Sequence, residues 1–324
     1  MSNNSSNRKE EGDGDKRRDL VNRILSGEER AIARLISNIE NQLPGIDEVL
    51  EELYPYTGNA YIIGVTGAVG TGKSTLINSL IQYYKSQGLS LGIVCIDPSS
   101  PITGGALLGD RLRFSLGSDK NVFVRSMATR GCKGGVSKSL RDVIRVLDAS
   151  GKDVIIIETI GVSQVDIDIV NYVDTLLLIL MPNMGDDIQM MKAGLLEVAD
   201  IIVINKADLS NSEDLMLAIN ENLNLKGGWM VPVVKTVATK NLGIYELIKK
   251  IDEHKNYLIN TREFDARRKN RIKEEVLEEV INRLRDNIVA SIDKEYEEII
   301  QRVLRREITP SIAAKLLVKT LINK

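Results

Sequence analysis

The apolar positions follow two regimes that meet near residue 61. From about 18 to 52 they recur at helical spacing: Leu20, Ile24 and Leu25, then Ile32, Leu35, Ile36 and Ile39, then Val49, Leu50 and Leu53. That is the stripe of amphipathic helices with one buried face. From Tyr61 onward, short β-branched runs alternate with amphipathic stretches. The runs are YIIGVT (61–66), LGIVCID (91–97), VFVRSM (122–127), VIIIE (154–158), TLLLILM (175–181), IIVIN (201–205) and MVPVVK (230–235). Strands that are apolar throughout, rather than alternating, belong to sheets covered on both faces, and helices between them make such a sheet mostly parallel. The expected fold class is α/β, with a mostly parallel sheet of about seven strands covered by helices. Ligands of such sheets bind at the carboxyl ends of the strands.

After about Asn256 the strand pattern stops. Ile272, Val276, Leu277, Val280, Ile281, Leu284, Ile288, Ile292, Tyr296, Ile299, Ile300 and Val303 trace one face of a long helix. Thr309-Pro310 then supplies an N-cap and a proline at the first position of a short final helix. The long stripe has to be buried against its own domain or against a second copy, and periodicity leaves both open. The expected organisation is a disordered polar tail over 1–17, a helical segment over 18–60, a nucleotide-binding core over 61–255 and a helical arm over 256–324.

Composition narrows the classes. Hydrophobic residues make up 43% and charged residues 27%, as in an ordinary globular chain. A net charge of −2 gives no general attraction to nucleic acid or to an anionic membrane. The longest apolar run, Thr175 to Met181, is too short to span a bilayer. The opening residues MSNNSSNRKEEGDGDKRR lack the apolar stretch of a secretory signal and carry acidic residues that argue against a transit peptide, so a cytoplasmic location is expected. The two cysteines, Cys95 and Cys132, have no metal-ligand spacing, and Cys95 reads as a small core residue. The one histidine, His254, ends a helical pattern and is not read as a catalytic base.

The most specific motif is Gly67-Ala68-Val69-Gly70-Thr71-Gly72-Lys73-Ser74, followed by Thr75, a complete P-loop pattern. It lies between the strand YIIGVT and an apolar-periodic helix, the context the chemistry needs. The glycines let successive backbone N–H groups turn inward on phosphate oxygens, and the helix start adds its unpaired N–H groups. Lys73 can then bridge β- and γ-phosphates while the Ser74 hydroxyl ligates Mg²⁺. Asp97 and Glu158 end the second and fourth strands, where a parallel sheet brings them beside that loop as further Mg²⁺ ligands or water-mediated partners. Asp110, on a loop, is a third candidate. Gly161, three residues past Glu158, leaves a backbone N–H free to approach a γ-phosphate.

Asn205-Lys206-Ala207-Asp208 supplies the base site. An aspartate is acceptor-only, and guanine offers an N1–H and an N2 amino group on one edge, whereas adenine presents a lone pair at N1 and no amino group beside it. Two charge-assisted bonds, at roughly 1.5–3 kcal/mol each, predict about 10²–10⁴-fold preference for guanine. The Lys206 stem is expected over the base, and Asn205 is expected to tie this loop to the P-loop. The later Val237-Ala238-Thr239 occupies the place of a Ser-Ala loop whose backbone N–H meets the guanine O6, with Val237 departing from that pattern. The implied ligands are GTP or GDP with Mg²⁺.

Beyond these motifs, GVTGAVGTGKSTL, IDPSSPITGGALLGDRLRF, MATRGCKGGVS, IIETIGVSQVDID, MKAGLLEVADIIVINKAD and ITPSIAAKLL resemble the MeaB/ArgK family over roughly residues 18 to 322. Members are G-protein chaperones of adenosylcobalamin-dependent acyl-CoA mutases, formerly described as kinases of amino-acid (LAO/AO) transport. The resemblance implies a GTPase of the SIMIBI type that forms a homodimer through its C-terminal helices. It also implies a B12-dependent acyl-CoA mutase of the methylmalonyl-CoA mutase type as client, and an adenosyltransferase as a further partner. On this resemblance Ser74, Asp97, Asp110 and Glu158 match the Mg²⁺ positions and Asp208 the guanine-binding aspartate. Pro182 to Lys192 match a further switch that senses the mutase. The family usually has GVGQSE where this chain has GVSQVD, so Ser163, Val165 and Asp166 differ around Gln164, and Cys132-Lys133 replaces a pair of small residues. The residue after Gly161 is Val162 rather than glutamine, so slow hydrolysis by the isolated chain is expected, with water positioned by Asp97, Gln164 or a partner-ordered loop. The alternative reading is a nucleotide-dependent kinase or ATPase of amino-acid transport.

Overall fold

The computed structural model describes residues 3–97, 121–128, 137–159, 168–183, 194–223, 225–226, 228–290 and 294–322. The apolar runs form β1 (Tyr61–Thr66), β2 (Leu91–Asp97), β3 (Val122–Ala128), β4 (Val154–Glu158), β5 (Thr175–Leu180) and β6 (Ile201–Ile204). A two-residue hairpin pairs β7 (Leu225–Lys226) with β8 (Trp229–Met230), and β9 (Val233–Lys235) completes the main sheet. That sheet has seven strands in the order β3-β2-β4-β1-β5-β6-β9, and every pairing in it is parallel. The run MVPVVK is therefore only partly a sheet strand. Met230 belongs to the hairpin, and Pro232, which has no N–H to give, contributes its carbonyl to Ile202 N at 3.0 Å before the strand begins.

Both faces are covered because the odd and even positions of each strand are apolar alike. Ile62, Val94, Ile96, Ile155, Ile157 and Leu176 face one layer, built by α1 (Asn3–Leu25), α2 (Glu29–Glu40), α3 (Ile46–Leu53) and α5 (Ser137–Ala149). Ile63, Val65, Ile93, Ile156, Leu177 and Ile179 face the other, against α4 (Lys73–Ser86) and α8 (Ile244–Asn260). Two further helices, α6 (Leu195–Val198) and α7 (Ser212–Asn222), pack on Leu178, Leu180, Ile202 and Ile204. The helical segment before Tyr61 is thus one wall of the core. Its fully buried Ile24, Ile32, Leu35, Ile36 and Leu53 share one apolar cluster with that face of the sheet and pack chiefly on α5.

Helix α1 runs over Asn3–Leu25, and Arg17 Nε pairs with Glu52 at 2.6 Å. The chain divides into two compact units, Met1–Phe264 and Asp265–Lys324. In the first, α8 stays in the core through buried Leu258, and the Phe264 ring stacks on Tyr61 at 6.4 Å. The second unit holds most of α9 (Glu263–Ala290), with α10 (Lys294–Leu304) and α11 (Pro310–Ile322). Among the described residues no helix is long and apolar enough to cross a membrane.

One carboxylate near the end of α5 fixes the chain just before β1. Asp148 is buried and accepts hydrogen bonds from the backbone N–H groups of Gly58, Asn59 (3.1 Å) and Ala60 (2.9 Å). Asp148→Ala leaves these donors without their acceptor. It is expected to lower unfolding free energy by about 2–4 kcal/mol, read as a lower urea midpoint with unchanged slope; a midpoint within error of wild type would refute this role.

Candidate functional site

The P-loop connects β1 to α4 and is shaped by what its glycines approach. Gly67 has φ +147°, and a Cβ there would strike the Ile179 carbonyl of the neighbouring strand β5. Gly72 has φ +91°, and a Cβ there would strike the Asn205 side-chain amide. Neither position accepts a side chain without the loop moving. Lys73, the first residue of α4, is buried, and its ammonium donates to the carbonyls of Gly67 (2.6 Å) and Ala68 (3.0 Å). It is therefore held inside the loop rather than extended into solvent. Val69 projects from the loop and is well exposed, while Ala68 and Thr71 are buried.

The strand order places the acidic residues. Because β4 lies between β2 and β1, Glu158 is in register with Val65 on one side and Cys95 on the other. Its Oε1 accepts from the Ser74 hydroxyl at 2.8 Å, and the Cys95 thiol donates to Oε2 at 3.5 Å. Asp97 ends β2 two residues beyond Cys95 and is 1% exposed. Glu158 and Asp97 thus lie at the carboxyl ends of adjacent strands, and Ser74 of the following helix α4 is bonded to Glu158. Asp110, Gly161, Val162, Gln164 and its neighbours, Cys132-Lys133 and residues 184–192 lie outside the described residues.

The base-side loops are joined through Asn205. Its Nδ2 donates to the Thr71 carbonyl of the P-loop at 2.7 Å. Its Oδ1 accepts from the Thr236 hydroxyl (3.1 Å) and from Ala238 N (3.2 Å). The tie to the P-loop anticipated from the sequence is present; the tie to the later loop, with Thr236 in it, had no local signal. Lys206, at φ +55°, reaches across to donate to the Gly70 carbonyl at 2.7 Å. Asp208 is half-exposed, and Lys240 Nζ donates to its Oδ2 at 2.9 Å. That ammonium holds the Asp208 carboxyl below its ordinary pKa. Val237 and Ala238 are buried and Thr239 is exposed; Val237 N donates to the Leu242 carbonyl at 3.0 Å, and the next three residues make a single 3₁₀ turn, Ala238–Lys240.

His254 stands far from this chemistry. It is fully buried at the amino-terminal edge of the sheet, with Nδ1 2.7 Å from the Thr175 hydroxyl and Nε2 3.5 Å from Asp200 Oδ1. Thr175 and Tyr61 are the first residues of their strands, whereas the P-loop leaves the other end of β1. Their hydroxyls are hydrogen-bonded to each other, and burial raises the Tyr61 phenol well above its usual pKa.

A phosphate loop, a hydroxyl–carboxylate pair beside it and an Asn-Lys-x-Asp loop bonded to it are the parts of a guanine nucleotide site. A family model described as Methylmalonyl Co-A mutase-associated GTPase MeaB matches residues 32–293. The chain belongs to the MeaB family. It is 49% identical over 265 residues to a putative GTPase of Pyrococcus abyssi, covering 80% of this chain and 82% of the relative. It is 37% identical over 196 residues to a protein of Cupriavidus metallidurans named fused isobutyryl-CoA mutase, covering 59% of this chain and 18% of that one. A solved structure titled LAO/AO transport system kinase superposes with a TM-score of 0.71 at 24% identity, covering 94% of this chain and 97% of the other, which establishes the shared fold. As a member of this family the chain is a P-loop GTPase that binds GTP and GDP.

Asn205→Ala removes the side chain that joins the three loops. Its GDP affinity is expected to fall about 10- to 100-fold, as three hydrogen bonds of about 0.5–1 kcal/mol each are lost, in an equilibrium titration. Wild-type affinity in that variant would show that the stitch is dispensable.

Proposed function

We propose that this GTPase uses Mg²⁺-dependent GTP binding and hydrolysis to gate adenosylcobalamin loading and to protect a B12-dependent acyl-CoA mutase of the methylmalonyl-CoA mutase type. The observation that carries the nucleotide part is Asn205, which bonds a phosphate loop to a guanine-reading loop in one assembly. The mutase part is supported by the family's description and by the relative named as a fused mutase.

The donor set fits Mg²⁺. Ser74 Oγ and Glu158 Oε1 are 2.8 Å apart, buried Asp97 ends the neighbouring strand two residues beyond Cys95, and all three offer hard oxygen. Among the described residues no group of three His, Cys, Asp or Glu side chains could hold a metal, so an all-protein cage is not indicated. Mg²⁺ is commonly held by one or two protein oxygens together with phosphate oxygens and water. When bound, it would supply positive charge to the β- and γ-phosphate oxygens. Lys73 would exchange its two loop carbonyls for those same oxygens, neutralising charge that grows as the leaving group departs. The P-loop amides orient the chain of phosphates for in-line attack by water. Ser74 and Asp97 then bind and orient the nucleotide–metal pair, and Glu158 positions Ser74. Asp208 reads the guanine edge, and the Ala238–Lys240 turn lies in the loop expected beside the base, with its Ala238 amide bonded to Asn205.

In a mutase inactivation assay, wild-type protein with GTP should prolong activity, whereas Lys73→Ala and Glu158→Ala should forfeit about tenfold or more of that protection. Equal protection by all three would overturn nucleotide gating, and transfer of labelled phosphate from GTP to a small molecule would favour the transport-kinase reading instead.

The helical arm supports a homodimer. Ile272, Val276, Val280 and Leu284, with Leu277 and Ile281, form a stripe along α9 in which each side chain is about half exposed. An apolar stripe of this length and spacing fits a second copy of itself. Light scattering should give the mass of a dimer for the wild-type chain and of a monomer for Val276→Glu/Val280→Glu; a wild-type monomer would refute it.

A further inference from the structure

Lys240 occupies a position that no nucleotide-binding motif specifies, yet its ammonium lies on the carboxylate that reads the base. Both ends of the contact are fixed by main chain. Lys240 ends the 3₁₀ turn Ala238–Lys240, with its N–H on the Val237 carbonyl at 2.9 Å, and Ala238 N is bound to Asn205. The next residue, Asn241, is held by the Ser79 hydroxyl, which donates to its Oδ1 at 2.8 Å. On the other side, Ala207 N donates to the Thr236 carbonyl at 3.0 Å and Leu209 N to the Lys206 carbonyl at 3.0 Å. Two rigid turns therefore present opposite charges to one another, joined at 2.9 Å by side chains alone.

We propose that Lys240 is a latch on Asp208 that competes with guanine for the carboxylate and thereby speeds release of the bound nucleotide. The proposal rests on the reading that Asp208 recognises guanine, and deepens it. Guanine uses both carboxylate oxygens, one for N1–H and one for the N2 amino group, and Lys240 takes Oδ2. Oδ2 can accept more than one hydrogen bond, but the Lys240 ammonium draws charge from it and so weakens it as an acceptor for guanine. The Lys240 side chain is 60% exposed and Asp208 43%, so the ion pair lies in water and exchanges readily. As the base leaves, the ammonium recaptures the carboxylate, which is not left waiting for solvent. Lys240 thus acts on the dissociation step.

Stopped-flow release of N-methylanthraniloyl-GDP from the full chain tests this. Lys240→Met is expected to slow release and tighten binding about two- to fivefold, the range of an exposed ion pair. Lys240→Arg should keep the wild-type rate. The gap between wild type and Lys240→Met should close near 1 M salt, where the screening length is about 3 Å. Asp208→Asn, whose amide suits the 2-carbonyl of xanthine, removes the charge the latch needs, so adding Lys240→Met to it should not change release of xanthosine diphosphate. Release from Lys240→Met at the wild-type rate or faster, with Asp208→Asn defective for GDP, overturns the latch alone. GDP bound equally well by Asp208→Asn overturns the guanine reading on which it stands.

Discussion

One asparagine side chain turns three loops into a single nucleotide-binding surface. Asn205 donates to the P-loop at Thr71 and accepts from Thr236 and Ala238 in the loop after β9. It is 2% exposed, so these bonds form away from competing water, where an unmet polar group is costly. The close approach also explains the adjacent glycine, since a Cβ on Gly72 would meet the Asn205 amide. The phosphate half and the base half of the site are therefore coupled by a contact neither could make alone.

That contact depends on the order of the strands. The P-loop leaves β1, Glu158 ends β4 on one flank, and Asn205 follows β6, separated from β1 only by β5. A parallel sheet delivers all these loops to the same edge. Apolar packing on both faces holds the edge in place, and the helices before Tyr61 supply much of one face. The opposite edge carries a different kind of chemistry, in which Tyr61, Thr175 and His254 are hydrogen-bonded in series in the core, with Asp200 3.5 Å from the imidazole. Sequestered there, the lone histidine holds strands and helix α8 together and is remote from the phosphates.

Charge within the site is distributed so that each lysine already has protein partners. Lys73 and Lys206 bind loop carbonyls and Lys240 binds Asp208. Nucleotide binding in such a site is an exchange of partners rather than the capture of an anion by free cations, and the net affinity is the difference between two sets of similar bonds.

The amino-acid sequence alone determined the first six strands, the P-loop, the Asn205–Asp208 tetrad and the placement of Asp97 and Glu158 at strand ends. Each of these is written in a short window, where apolar spacing sets the element and glycine sets the turn. It did not reveal that Lys240 meets Asp208, that Cys95 lies against Glu158, that Thr236 completes the Asn205 stitch, or that residues before Tyr61 wall the core. Those contacts join positions 31 to 63 residues apart, or whole layers. They are decided by strand order and by which helix covers which face, and no local pattern of apolar and polar residues carries that information. The tertiary structure decided them because burial rewards the one arrangement in which every apolar face finds a partner.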